Sequence, residues 1–127
     1  MLRNGILNPQ INSLLSRVRH TNTLVIADRG FPFWPQVETI DIALIDDIPT
    51  VLDVLKALAP NFMIGNAWMA EEFLTHNSHE LTGTFRTMLS RLSFEPHVTL
   101  KQRVPGAIGL IRTADTAQYS NLILESA

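Results

Sequence analysis

The sequence predicts an α/β fold, built as a single three-layer α/β/α domain with a mainly parallel sheet. Three observations lead to this prediction. The chain has 127 residues, of which 46% are hydrophobic, and this fits one compact domain with a sizeable core. Segments with strand-like patterns alternate along the chain with amphipathic helical patterns. There is no internal repeat and no low-complexity linker, so we expect residues 1–127 to form one domain.

The first helix and the first strand have clear boundary signals. Asn8 and Pro9 favour a helix start, because an asparagine side chain accepts a hydrogen bond from a free backbone N–H and proline fits the first helical turn. We expect this helix to reach about Arg19, with apolar residues at helical spacing on one face. The apolar segment 23–27 then predicts a buried strand. Glycine and prolines make 28–35 a loop that carries large aromatic side chains.

The rest of the chain continues the alternation of strands and helices. Pro49 is expected to open a helix that Pro60 ends, with Asp46 and Asp47 near the positive end of its dipole. Ser78 is expected to cap a later helix. The remaining predicted strands cover 38–44, 62–68, 94–98, 107–112 and 121–124, and the remaining predicted helices cover about 69–75 and 99–104.

Composition argues against several classes of function. The chain has no cysteine, which rules out disulfides, thiolate metal sites and a cysteine nucleophile and favours a reducing compartment, so we expect the cytoplasm. Ten Lys and Arg against 12 Asp and Glu give a net charge of −2, and we expect no nucleic-acid partner. No apolar run reaches the roughly 20 residues that span a bilayer, so no membrane association is expected. The glycine-rich and nucleophile-elbow motifs of nucleotide enzymes and serine hydrolases are absent.

Three polar residues beside the predicted strands are candidates for a site. Asp28 follows the first strand, where an open α/β sheet binds ligands, and either binds ligand hydroxyls or caps its own turn. His20 lies in the turn before that strand. On the residues alone, a cation at a helix C-terminus is favoured over a general acid/base. His97 has two equally good interpretations, a residue of the site or a half-exposed surface residue at the edge of a strand.

A second candidate is the polar segment before the last predicted strand. It supplies a phenol, a hydroxyl and a carboxamide in succession, from Tyr119, Ser120 and Asn121. Such groups suit a sugar, because they donate and accept hydrogen bonds without imposing a charge. The alternative is an ordinary turn with a tyrosine packed on the core.

The aromatic loop and a histidine pair also have two interpretations each. Phe31, Phe33 and Trp34 either stack on a sugar ring or fill a subunit interface, and the interface is slightly favoured. His76 and His79 have a spacing that suggests a metal site. However, the intervening Asn and Ser are expected to break the helix, so we expect no metal there.

Several short segments together resemble one known family. In chain order they are N-G-I-L-N-P at 4–9, R-H-T-x-T-L-V-I-A-D at 19–28, G-F-P at 30–32, I-D at 40–41, P-H at 96–97, V-P-G-A at 104–107, L-I-R-T at 110–113 and Y-S-N-L-I-L at 119–124. They span nearly the whole chain. The combination resembles the ribose pyranase and fucose mutarotase family, and is closer to the D-ribose pyranase branch.

The resemblance implies an isomerase that interconverts pyranose and furanose ring forms and anomers of a free monosaccharide by acid/base ring opening. It also implies that no cofactor or metal is used. The expected assembly is a homo-oligomer, usually a decameric ring, with sites between subunits. By position, His20 matches the catalytic histidine of the family. The positions that match its sugar-binding residues are Asp28, His97, Tyr119, Ser120 and Asn121.

Two departures from the family pattern border the expected pocket. Arg29 stands where a small residue is usual. Trp34 belongs to the segment F-W-P at 33–35, which replaces a simpler proline-containing loop of the family. Arg29 is expected to cover part of the sugar site, to contact an acidic or phosphorylated ligand, or to pair with Asp28. These departures support an alternative hypothesis, a non-catalytic sugar- or sugar-phosphate-binding or regulatory protein on the same fold. A mutarotase for another sugar, such as fucose, is the other alternative.

The proposed catalytic histidine raises a geometric problem. His20 and Asp28 flank the predicted strand 23–27, and a straight strand of that length separates them by about 17 Å or more. Either the strand is shorter and the turn folds back, or residues from neighbouring subunits complete each site.

Overall fold

The computed structural model describes residues 1–127 and has a six-stranded sheet at its centre. In chain order the strands are β1 Thr23–Ala27, β2 Thr39–Asp41, β3 Ile64–Ala70, β4 Leu92–Glu95, β5 Gly109–Arg112 and β6 Leu122–Ser126. Their order across the sheet is β2-β5-β1-β6-β3-β4. Only β6 runs antiparallel to its neighbours, which are β1 and β3, so the sheet is mainly parallel as predicted.

Helices cover both faces of this sheet. They are α1 Pro9–Arg17, α2 Val51–Leu58, α3 Glu71–His76, α4 His79–Met88 and α5 His97–Arg103. Leu24 and Ile26 of β1 face a buried apolar layer shared with α1 to α4, whereas Val25 and Ala27 face a second layer shared with α5. The predicted three-layer arrangement is confirmed. None of the helices has the length and apolar character needed to cross a bilayer.

Two predicted helix caps are present. Asn8 Oδ1 accepts a hydrogen bond from the Ile11 N–H at 2.9 Å, and Ser78 Oγ accepts one from the Leu81 N–H at 3.1 Å. Ser78 also separates α3 from α4, which confirms that the helix breaks between the two histidines. The first helix ends at Arg17, two residues before the predicted end, because the backbone at the next residue is already extended.

The prediction that Pro49 opens α2 is wrong. The helix begins at Val51, and Thr50 is its N-cap. Thr50 Oγ1 accepts a hydrogen bond from the Asp53 N–H at 3.1 Å, and the Asp53 carboxylate accepts one from the Thr50 N–H at 2.9 Å. This reciprocal capping pair fixes the helix start more strongly than the proline does.

Neither Asp46 nor Asp47 accepts a hydrogen bond from the backbone at the start of α2. Asp46 takes part in an exposed ion pair, and Asp47 accepts hydrogen bonds from Thr116. The buried Asp115 carboxylate instead accepts a hydrogen bond from the Val51 N–H at 2.9 Å. The start of α2 therefore has two carboxylates, Asp53 from its own first turn and Asp115 from a distant segment of the chain.

Other strand boundaries shift by a few residues. The predicted strand 38–44 is shortened to β2, because the Asp41 carboxylate accepts a hydrogen bond from the Ala43 N–H at 3.0 Å and turns the chain. The predicted strand 94–98 ends at Glu95, since Pro96 has no N–H to donate to a ladder. His97 consequently lies in the first turn of α5 and not at the edge of a strand.

Candidate active site

A cleft of about 280 Å³ opens at the edge of the sheet where β1 ends and β6 begins. The parallel strands all end at this edge, and the antiparallel β6 starts there, so residues far apart in sequence meet. The cleft is lined by Asp28, Gly30, Phe31, Pro32, His97, Gln118, Tyr119 and Asn121. The structure therefore brings four of the predicted site residues together: Asp28, His97, Tyr119 and Asn121.

Asp28 is held in place by Asn121 and by its own loop. The Asp28 N–H donates to Asn121 Oδ1 at 2.8 Å, and Asn121 Nδ2 donates to Asp28 Oδ2 at 3.1 Å. The Gly30 N–H donates to Asp28 Oδ1 at 3.0 Å. Burial raises the pKa of Asp28 from its usual 3.8, although these donated hydrogen bonds act against the shift. Both carboxylate oxygens keep lone pairs that can accept hydrogen bonds from ligand hydroxyls.

His97 presents its imidazole to the cleft at the start of α5. Its ring makes an edge contact with Tyr119, with 5.1 Å between the ring centroids, and lies 6.1 Å from the Phe31 ring. The Nε2 atom is buried and has no hydrogen-bond partner within the chain. A buried polar atom without a partner is uncommon in folded proteins, so this nitrogen is a candidate contact for a ligand.

The electrostatic surroundings of His97 favour the neutral imidazole. Burial lowers its pKa below 6.5, and the positive charge of Lys101 lowers it further, whereas the carboxylates of Glu72 and Asp28 act in the opposite direction. A neutral imidazole carries one nitrogen that can accept a proton. His97 can therefore act as a base near neutral pH.

Tyr119 has an unusual backbone conformation and its ring contacts two histidines. Its φ angle is +59°, in the left-handed region that side-chain-bearing residues seldom adopt. The His76 ring lies 5.0 Å from the Tyr119 ring, measured between the ring centroids, and is tilted by 55° to it. The Asn77 amide also donates to the Gln118 carbonyl at 2.8 Å, which anchors this segment to the end of α3.

Ser120 lies outside the cleft. Its side chain is fully buried, and its hydroxyl donates to Asp115 Oδ2 at 3.2 Å. Asp115 Oδ1 in turn accepts a hydrogen bond from the Ala117 N–H at 2.8 Å. The serine hydroxyl thus supports the segment that carries Tyr119 and Asn121, and does not line the cleft.

Arg29 and Trp34 are also outside the cleft. Arg29 is exposed and pairs with Asp46, and it does not pair with Asp28. Trp34 lies in an adjoining apolar groove of about 640 Å³, which shares Pro32 with the cleft, and its buried Nε1 has no partner within the chain. The other residues of this groove are Pro32, Phe33, Val98, Lys101, Gln102 and Pro105. Of the loop aromatics, only Phe31 lines the cleft.

His20 is exposed and lies at the other edge of the sheet. It precedes β1, and Asp28 follows β1, so the regular strand between them separates the two residues by about 17 Å. The turn does not fold back, because its Thr21 N–H donates to the Ser126 carbonyl at 3.0 Å and keeps it beside β6. Within one chain, His20 does not reach the cleft.

Three supporting residues were not found by sequence reasoning. Arg112 donates to backbone carbonyls of the 29–32 loop and so holds the rim of the cleft. Glu72 accepts hydrogen bonds from the His97 N–H. Gln118 lines the cleft. Arg112 belongs to the motif L-I-R-T, so the sequence contains a signal for it. Glu72 lies in an ordinary helix start and has no local signal.

Known proteins match this chain along its whole length. A D-ribose pyranase from Laribacter hongkongensis is 36% identical over 127 residues, which cover 99% of this chain and 97% of the relative. One from Geobacillus thermodenitrificans is 35% identical over 131 residues, which cover 99% of this chain and 96% of the relative.

Solved structures match the fold equally completely. Bacillus subtilis RbsD complexed with D-ribose is similar with a TM-score of 0.93 and 29% identity, covering 100% of this chain and 98% of that chain. The fucose mutarotase of Streptococcus pneumoniae in complex with L-fucose has the same fold, with a TM-score of 0.81 and 15% identity over 99% of this chain and 98% of that chain. The model of the RbsD / FucU transport protein family matches residues 1–127, and this chain belongs to that family.

Proposed function

We propose that this protein is a monosaccharide mutarotase of the D-ribose pyranase type, an isomerase that acts on free ribose. One observation carries the proposal: the unpartnered Nε2 of His97 shares a cleft with the hydrogen-bonded pair of Asp28 and Asn121. Full-length relatives that are D-ribose pyranases, and the similarity to a ribose-bound structure, support the same substrate.

The reaction opens and closes a hemiacetal. A base removes the proton of the anomeric hydroxyl, the carbonyl forms, and the bond between the anomeric carbon and the ring oxygen breaks. An acid protonates the departing ring oxygen. Closure by a different chain hydroxyl, with both proton transfers reversed, changes pyranose to furanose, and closure on the other carbonyl face changes the anomer. Proton transfer of this kind typically contributes about 10²–10⁴-fold.

The cleft residues supply hydrogen-bonding and proton-transfer groups for this chemistry. Asp28 accepts hydrogen bonds from sugar hydroxyls, and the second N–H of the Asn121 amide donates to them. His97 or Tyr119 is the proton-transfer partner on the cleft side. Ser120 acts indirectly, through the buried hydrogen bond that supports this segment.

His20 completes the site from a second copy of the chain and is the proposed catalytic histidine. Because His20 and Asp28 of one chain are about 17 Å apart, the His20 beside each cleft has to come from another copy. The groove beside the cleft supports an assembly, because Phe33 is 69% exposed and Val98 is 63% exposed there. We propose a homo-oligomer, a decameric ring with sites between subunits, that acts in the cytoplasm.

Saturation-transfer proton NMR on D-ribose at equilibrium tests the activity directly. The protein is expected to accelerate exchange between pyranose and furanose anomeric signals, and His20→Ala is expected to abolish this acceleration while leaving assembly intact. Unchanged exchange in His20→Ala would remove His20 from the mechanism. Binding of ribose without acceleration would support a sugar-binding protein, and acceleration with L-fucose alone would support a mutarotase for that sugar.

Mixing two inactive variants tests whether the site is shared. His20→Ala keeps the cleft and loses the histidine, whereas Asp28→Asn keeps the histidine and impairs the cleft. Random assembly of equal amounts regenerates an intact site at about a quarter of the interfaces. We expect mixed and reassembled protein to recover exchange activity. If the mixture stays as inactive as its components, each site lies within one chain.

A further inference from the structure

We infer that Glu72 is a positioning residue for His97, which it holds through the backbone at the start of α5. The Glu72 Oε1 and Oε2 atoms lie 3.0 and 3.2 Å from the His97 nitrogen, and both accept from its N–H. The inference rests on the proposed function for the role of His97, but the contact itself is independent of that function.

The start of α5 has no cap of its own. Its N-cap residue is Pro96, whose side chain cannot accept a hydrogen bond from the helix. His97 is the first residue of α5, and the first N–H groups of a helix have no carbonyl partner within the helix, so the His97 N–H needs an acceptor from elsewhere. Glu72 provides that acceptor from a different helix, 25 residues earlier in the chain. An unsatisfied N–H at this half-buried position would be costly, so the contact fixes the helix start.

This contact links the ends of two adjacent strands. Glu72 lies at the start of α3, directly after β3, and His97 follows β4, which pairs with β3. The Glu72 carbonyl is also within 2.7 Å of His76 Nδ1. One residue therefore contacts both histidines whose rings lie against Tyr119. Loss of its side chain would free α5 to move the imidazole relative to the cleft.

The Glu72 charge also acts on the imidazole. The charged groups that face His97 are Asp28 at the end of β1, Glu72 on α3 and Lys101 on α5, and the Tyr119 phenol is the titratable group in ring contact. The two carboxylates raise the pKa of His97 and Lys101 lowers it. Removal of the Glu72 charge alone should therefore lower the pKa of His97 further.

Glu71 provides a matched control. It is the neighbouring residue in the first turn of α3, it is exposed, and it is Glu72 and not Glu71 that accepts from the His97 N–H. Both glutamates are placed to interact with the dipole of α3, so a change at either one has a similar effect on that helix. A difference between the two positions therefore isolates the contact with α5.

The test compares Glu72→Ala, Glu72→Gln and Glu71→Gln in ribose exchange and in an NMR titration of the His97 imidazole. We expect Glu72→Ala to slow exchange by about tenfold to a hundredfold, the range for a lost hydrogen bond to a charged group. Glu72→Gln retains an oxygen that accepts from the His97 N–H, so it should recover most of the rate while His97 titrates at lower pH than in the unaltered protein. Glu71→Gln should change neither property.

Two results would overturn the inference. One is a Glu72→Ala variant that matches Glu71→Gln in exchange rate and in His97 titration. The other is a loss of ribose exchange of about tenfold or more in Glu72→Gln, which keeps an acceptor for the His97 N–H; this result decides the matter even where Glu72→Ala fails to fold. If the unaltered protein does not accelerate ribose exchange, the proposed function fails, but the His97 titration still tests the Glu72 contact.

Discussion

Asp28 and Asn121 lie 93 residues apart in sequence and are joined by a reciprocal pair of hydrogen bonds. The backbone N–H of Asp28 donates to the amide oxygen of Asn121, and the amide nitrogen donates back to the Asp28 carboxylate. This pair connects the end of β1 to the start of β6 and fixes which way the amide points. The carboxylate is therefore oriented before any ligand arrives, which lowers the entropy cost of binding.

Asn121→Asp tests this pair by replacing the donating amide with a second carboxylate. The new charge beside Asp28 should raise the pKa of one carboxyl group, because like charges at this distance disfavour ionisation. We expect ribose exchange to fall by about tenfold or more. A carboxyl pKa raised on folding stabilises the folded state at low pH, and this stabilisation is lost as the pH rises through the raised value.

Urea unfolding in acidic and in neutral buffer measures how the stability of Asn121→Asp depends on pH. Asn121→Asp should be closer in stability to the unaltered protein in acidic buffer than in neutral buffer. Asn4→Asp adds the same charge at an exposed position and serves as the control. An equal loss of stability at both pH values would show that the two carboxyl groups are not coupled.

The sequence predicts the edge of the sheet where the site lies, because the ends of strands have local signals. Asp28 follows an apolar strand, where an open sheet binds ligands, and Tyr119 precedes another strand, but nothing in the sequence placed the two residues at the same edge. The order of strands was not predictable, since it depends on packing between distant segments. The antiparallel placement of β6 beside β1 is what brings Asn121 to Asp28.

The error at the start of α2 has one local cause and one distant cause. Pro49 looked like a helix start, but the reciprocal bonds between Thr50 and Asp53 move the start to Val51. This capping pair is visible in the sequence. The contribution of Asp115 to the same helix is not, because a buried carboxylate from a distant segment leaves no local pattern.

Asp115→Ala is expected to destabilise the fold strongly. The buried carboxylate accepts hydrogen bonds from the Val51 N–H, the Ala117 N–H and the Ser120 hydroxyl, and its removal leaves these donors without partners. We expect the free energy of unfolding to fall by about 3 kcal/mol or more, since buried unsatisfied groups cost about 1–3 kcal/mol each. Ser120→Ala, which removes only one donor, should cost about 1 kcal/mol. Equal losses in urea unfolding would contradict this assignment.

Arg29→Ala is expected to leave ribose exchange within about twofold of the unaltered rate, because its guanidinium pairs with the exposed Asp46 and lies outside the cleft. The ion pair is exposed on both sides, so its loss should cost less than about 1 kcal/mol of stability. Asp46→Ala should behave in the same way. A tenfold loss of ribose exchange in Arg29→Ala alone would place the guanidinium at the sugar after all.

His97→Asn tests the pH dependence of stability. Burial lowers the pKa of His97 in the folded protein, so the unfolded chain binds more protons as the pH falls below 6.5. Stability from the neutral imidazole is therefore present above that pH and is lost as the pH falls towards the lowered value. As the pH falls through this range, the free energy of unfolding should decrease less in His97→Asn than in the unaltered protein. Parallel curves for the two proteins would mean that His97 has an ordinary pKa.

Phe33→Asp tests the groove beside Trp34 as a contact between copies of the chain. Phe33 is 69% exposed in a groove that also contains Trp34, and a charge there would be buried by a second copy. We expect smaller assemblies in size-exclusion chromatography with light scattering, together with a loss of ribose exchange, because the proposed site needs His20 from a neighbour. Leu7→Asp places the same charge on another exposed apolar residue outside this groove. Full assembly in Phe33→Asp would exclude the groove as the interface, and full activity in a dissociated Phe33→Asp would exclude the shared site.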